Sequence, residues 1–104
     1  MIRLRLTPLA LADIDRARDA IVAHHPDGAL AGEHLADAAL ARLLAGIERL
    51  RTFPRLGRSS HRLDILLLTV PGPTRHLTFT VGYRAAPDRV AILGITWGGR
   101  RFGP

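Results

Sequence analysis

The segment HLTFTVGYR, residues 76–84, has the clearest strand pattern of the chain and decides its fold class. Leu77, Phe79, Val81 and Tyr83 alternate there with polar, small or charged residues. An alternation of period two is typical of a strand with one buried face and one face open to solvent. The segment therefore predicts a half-exposed strand of an antiparallel sheet.

Further strand patterns lie on both sides of this segment. Residues 62–70 are rich in leucine and isoleucine, and a Pro-Gly-Pro-Thr turn at 71–74 joins them to it. After a second turn, residues 90–97 form the last predicted strand. Residues 1–6 alternate apolar side chains with two arginines and form the first. Four strands are therefore predicted.

Two helical patterns lie between the first and second predicted strands. Thr7 followed by Pro8 predicts an N-cap and the first helical position, and Pro26 ends this helix. Asp27 is predicted to cap the second helix. The apolar stripes are Ala10, Ile14, Ala17 and Ile21, then Ala36, Leu40, Leu43, Ile47 and Leu50. The order β-α-α-β-β-β predicts an α+β fold, a helix hairpin packed on one face of a small antiparallel sheet.

Composition limits the class of protein. A chain of 104 residues suits one domain, residues 1–104, and 47% apolar residues excludes a disordered chain. No uninterrupted apolar run exceeds four residues, so we expect no membrane contact. There is no cysteine, which excludes thiolate metal sites, and the first residues lack the apolar region of a secretory signal. We therefore expect a cytoplasmic protein.

The net charge of +6 lies entirely in the second half of the chain. Residues 53–104 carry eight arginines against Asp64 and Asp88, whereas residues 1–52 carry seven arginines and seven acidic residues. This imbalance predicts a basic surface for nucleic acid, an acidic protein, or both. Strand alternation places Arg62 and Arg84 on the sheet face away from the helices. We expect the loop arginines at 55 and 89 to be solvated only.

Five segments have the order and spacing of a known family. They are residues 10–15 (ALADID), 25–27 (HPD), 53–58 (FPRLGR), 79–84 (FTVGYR) and 90–101 (VAILGITWGGRR). Together they resemble the RelE/ParE superfamily of type II toxin–antitoxin toxins, and the ParE branch in particular. The chain departs from that branch at Trp97, in its short tail after Arg101 and in the turn at 71–74.

The resemblance implies a small toxin that is neutralised by a cognate antitoxin. ParE-like members are implied to inhibit DNA gyrase by binding, which is the function we predict here. Two alternatives stay open: a RelE-like endoribonuclease that cuts mRNA on the ribosome, and a toxin-derived binding protein without toxicity. Whether the chain forms a homo-oligomer also stays open. The residues expected to contact the target or the antitoxin are Arg62, His76, Arg84, Trp97, Arg100 and Arg101.

The residues offer little for catalysis. A ribonuclease must move protons, and RelE-like enzymes are implied to use lysines, an arginine and a tyrosine for cleavage. This chain has no lysine, its arginines cannot act as bases, and its one tyrosine, Tyr83, is predicted to lie in the core. In the basic half only the pair His61 and His76 could do acid–base work near neutral pH, and a half-exposed histidine on a sheet face is more often a polar surface residue. His24, His25 and His34 lack the geometry of metal ligands. We expect no catalytic residue, no metal and no cofactor.

Overall fold

A helix hairpin covers one face of a five-stranded sheet in the computed structural model, which describes residues 2–62 and 64–98. In chain order the elements are β1 (Arg3–Leu6), α1 (Pro8–Ala23), α2 (Ala29–Glu48) with a 3-10 turn (Arg49–Arg51), β2 (Arg58–Ser59), β3 (Leu66–Pro71), β4 (Thr78–Ala86) and β5 (Arg89–Trp97). The order across the sheet is β1-β5-β4-β3-β2. The predicted α+β class with its helix hairpin is confirmed.

The sheet is mixed, because β1 runs parallel to β5 while the other neighbouring strands are antiparallel. The sheet was predicted to be antiparallel, but alternation in residues 1–6 shows only which side chains are buried and carries no signal for strand direction. β2 is not among the four predicted strands. β3 begins at Leu66 rather than at residue 62, since a turn closed by the Ser60 N–H donating to the Ile65 carbonyl precedes it.

The predicted N-cap residue is correct for the first helix and wrong for the second. The Thr7 hydroxyl accepts a hydrogen bond from the Ala10 N–H, which confirms the N-cap, and donates to the Ile92 carbonyl at 2.8 Å. The same side chain therefore ties α1 to β5. The prediction of Asp27 as the second N-cap is wrong. Gly28, at φ 98°, occupies that position without a side-chain cap, in a conformation that glycine adopts freely.

An extra residue in β5 shifts the alternation of its side chains between the two faces of the sheet by one position. Tyr83 lies opposite Ile92 but Gly82 lies opposite Gly94, so Leu93 is a bulge between them. Asp13 in α1 accepts a hydrogen bond from the Ile95 N–H just beyond this bulge, at 2.9 Å. Asp13 lies outside the predicted apolar stripe of α1. Its carboxylate nevertheless joins α1 to the sheet.

The core lies between the hairpin and the sheet. Its largest side chains are at most 1% exposed: Tyr83, Phe79, Leu43, Ile47, Leu50, Ile92 and Ile95. The two helices approach closely at Gly32, where a Cβ atom would lie 2.8 Å from the Cα of Val22. Among the described residues no helix is long and apolar enough to cross a membrane.

Candidate interaction surface

No described helix or strand covers the face of the sheet away from the helix hairpin; we call it the open face. Residues directly opposite each other in neighbouring strands share a face, so the register shows what the open face carries. Thr69, Thr80 and Thr96 form one row across β3, β4 and β5. The next row contains Gly82 and Gly94, beside the half-buried Leu67. Hydroxyl groups and glycines therefore make up its centre.

Arginines occupy the end of the open face near the turn between β4 and β5. Arg84 and Arg5 lie on either side of Ala91, and in the next row Arg89 lies between Ala86 and Arg3. All four arginines are exposed. We call these six residues the arginine–alanine patch. Four cations gathered around two small side chains make it the most basic part of the open face.

Two of these arginines have acidic neighbours. Arg84 Nε lies 2.8 Å from Asp64 Oδ2, and Arg89 Nε lies 3.3 Å from Asp88 Oδ1. All four side chains are more than half exposed, and exposed ion pairs contribute only about 0–1 kcal/mol. A partner's negative groups can therefore replace these carboxylates at low cost.

Two neighbouring grooves run along this patch. One, of about 440 Å³, lies between Arg84, Arg89 and the loop residue Arg55. The other, of about 400 Å³, is lined by Arg3, Arg5 and again Arg89. Ala91 lines both grooves, so the small side chains leave depressions between the arginines.

The predicted contact residues do not all meet on this face. Arg84 lies on it, as predicted. Arg62 does not, because it lies in the turn before β3 and outside any strand, so its predicted placement by strand alternation is wrong. His76 is exposed in the turn before β4. Trp97 is half-buried at the end of β5, opposite Phe79 and against the core. Arg100 and Arg101 lie outside the described residues.

Three arginines of the patch were missed. Arg3 and Arg5 belong to the charge-balanced half of the sequence, but the pairing of β1 with β5 places them beside the basic half. Arg89 was expected to be a solvated loop residue and is instead the first residue of β5. The alternation of residues 1–6 already placed Arg3 and Arg5 on a solvent-facing side. The missing information was which strand lies next to β1.

Tyr83 lies on the opposite side of the sheet from the patch. It is fully buried, as predicted, and its hydroxyl accepts a hydrogen bond from the Gly57 N–H at 2.8 Å. Burial raises the pKa of Tyr83, although the Gly57 N–H and the charge of Arg55 act in the other direction. A phenol that is buried and holds its proton more strongly is poorly suited to proton transfer near neutral pH.

The described residues contain no group of three histidine, cysteine, aspartate or glutamate side chains placed to hold a metal ion. The open face instead carries arginine side chains and threonine hydroxyl groups.

Comparison with known proteins gives a match to the fold. No protein-family model matches the chain, and no curated protein matches it. Among solved structures, the chain is similar to one described as "Chromosomal ParDE TA system from P. aeruginosa". The two are 24% identical, the match covers 91% of this chain and 94% of that chain, and the TM-score is 0.71. The protein therefore has the fold of a chain from a ParDE toxin–antitoxin system.

Proposed function

We propose that this protein is the toxin of a type II toxin–antitoxin system, of the ParE-like branch, and that a cognate antitoxin neutralises it in the cytoplasm. The observation that carries the proposal is the fold shared with a chain of a ParDE system over 91% of this chain. The five sequence segments that resemble the ParE branch also support it. Their described residues lie in α1, in the helix turn, in the loop that leads into β2, and in β4 and β5.

The proposed action is inhibition of DNA gyrase by binding, without catalysis. Arginines can bind negative groups but cannot accept a proton, and the sequence has no lysine. The buried hydroxyl of Tyr83 is already a hydrogen-bond acceptor. These features favour binding over RNA cleavage. The proposed contacts with the target or the antitoxin are Arg84 first, and then Arg62, His76, Trp97, Arg100 and Arg101.

The test compares two activities of the purified full chain, freed of any antitoxin. We expect it to inhibit supercoiling by gyrase or to trap cleaved DNA, and to leave mRNA on stalled ribosomes intact. Replacing Arg100 and Arg101 together by alanine should reduce the inhibition of gyrase, because both would act as electrostatic contacts. The melting temperature of this double variant should stay that of the original protein.

Two outcomes would reject the proposal in different ways. Cleavage of ribosome-bound mRNA that disappears in His76→Ala would identify an endoribonuclease, since His76 is one of two exposed histidines in the basic half. Inactivity in both assays, with the antitoxin still bound tightly, would identify a toxin-derived binding protein without toxicity.

A further inference from the structure

The described strands carry no large exposed apolar side chain on the open face. Such side chains lie instead on the helices and the loop that follows them: Leu9, Leu11, Leu30, Leu44, Phe53 and Leu56. Contacts to nucleic-acid phosphates come from arginine, hydroxyl groups and backbone N–H groups. The open face therefore has the chemistry of a phosphate-binding surface.

The arginine–alanine patch has a spacing that suits a chain of phosphates. Neighbouring strands are about 4.8 Å apart, so Arg84 and Arg5, two strands apart, start about 10 Å from each other across Ala91. The grooves beside Ala91, of about 440 and 400 Å³, leave room for phosphate groups between the guanidinium groups. A guanidinium group binds a phosphate through two parallel hydrogen bonds.

We propose that the arginine–alanine patch binds the phosphodiester backbone of double-stranded DNA, without reading its sequence. The net charge of +6 favours a polyanion. Single-stranded nucleic acid is usually held by aromatic side chains that stack on the bases. Phe79, Tyr83 and Trp97 all belong to the helix-facing side of the sheet, so the described part of the open face has no such side chain. This binding requires neither gyrase nor an antitoxin and goes beyond the proposed function.

Fluorescence anisotropy with a short labelled DNA duplex tests the proposal on the full chain. If four arginines contact phosphates, affinity should fall on the order of 100-fold between 50 and 200 mM salt, from a slope of about −3.6 in log K against log salt. Replacing Arg3 and Arg5 by threonine, which keeps strand propensity, should weaken binding and make this slope shallower by about 2. Replacing both by lysine should restore most of the binding, since lysine also binds phosphate.

The control removes the same charge from the other layer of the molecule. Arg16 and Arg18 lie on α1, so their joint replacement by alanine should leave the salt slope unchanged. Melting temperatures of all variants establish that each is folded. Equal weakening by the two double variants would overturn the proposal, because net charge alone would then explain binding. So would failure to bind the duplex at 50 mM salt, or tighter binding of a single strand or of an RNA duplex of the same sequence.

Discussion

Tyr83 connects the core beneath β4 to the loop that precedes β2. Its ring is buried beneath β4, and its hydroxyl fixes the backbone of the loop between the 3-10 turn and β2 at Gly57. A Cβ atom at position 57 would lie 2.9 Å from the Tyr83 ring and 2.7 Å from the Leu67 carbonyl oxygen, so glycine is required there. The same loop carries Arg55 to the edge of a groove beside the patch.

Tyr83 also gives the protein a predictable response to alkaline pH. It is the only tyrosine, and the chain has no lysine or cysteine, so between about pH 9 and 12 no other side chain titrates. Burial raises the pKa of Tyr83 above its ordinary value of 10.0, and the folded protein therefore keeps a proton that the unfolded chain loses. Its contribution to stability is complete below about pH 10 and disappears as the pH rises through the folded-state pKa.

Urea midpoints measured from about pH 8 to 11.5 should show this loss as a decline that begins near pH 10. The comparison protein is Tyr83→Phe, which keeps the buried ring but has no ionisable hydroxyl. It should be less stable at pH 8, by about 1–3 kcal/mol, because the Gly57 N–H loses its acceptor, and its midpoint should change little with pH. A decline as steep as that of the original protein would contradict the assignment to Tyr83.

Elements with a local signal could be predicted from the sequence. The alternation of Leu77, Phe79, Val81 and Tyr83 identifies β4, and Thr7 with Pro8 identifies the start of α1. Features that depend on distant residues could not. The bulge at Leu93 and the contact between Asp13 and the Ile95 N–H exist only when α1 packs against β5. Binary patterning therefore gives the layers but not the details of their contacts.

The stability of α2 on the sheet should depend on one side of the helix. Leu43 is fully buried in the core, whereas its neighbour Leu44 is 48% exposed. Leu43→Ala should therefore reduce the free energy of unfolding by about 2–5 kcal/mol, and Leu44→Ala by much less. Urea denaturation measures both, and the pair makes the same chemical change one residue apart. Similar losses in the two variants would show that the buried stripe of α2 has another orientation.

The molecule as a whole separates its apolar and basic surfaces. Four exposed leucines, at positions 9, 11, 30 and 44, lie on the hairpin, and the four arginines of the patch lie on the other side of the sheet. Charge counted along the sequence identified Arg84 but missed Arg3 and Arg5, because halves of a sequence are not regions of space. The sequence therefore predicted that the surface is positively charged, but it identified only one of the four arginines of the patch.

Binding of the proposed antitoxin should depend on which of these surfaces is altered. Arg84 on the open face and Arg18 on α1 each belong to an exposed ion pair, with Asp64 at 2.8 Å and Asp37 at 2.7 Å. Arg84→Glu should weaken antitoxin binding at least about tenfold, since it reverses a charge at the proposed contact, and Arg18→Glu should have a much smaller effect. Isothermal titration calorimetry measures both, and equal losses would exclude the open face as a specific antitoxin contact.

The pairing of β1 with β5 has a consequence for how the protein is made. The first strand has its partner at the far end of the chain, and even the hydrogen bond from Thr7 to the Ile92 carbonyl joins residues 85 positions apart. Contacts between residues so distant in sequence form late, because closing the long intervening loop costs entropy. During translation the hairpin can form early, whereas β1 has no neighbouring strand until β5 has left the ribosome. The basic patch is therefore assembled only after β5 has been synthesised.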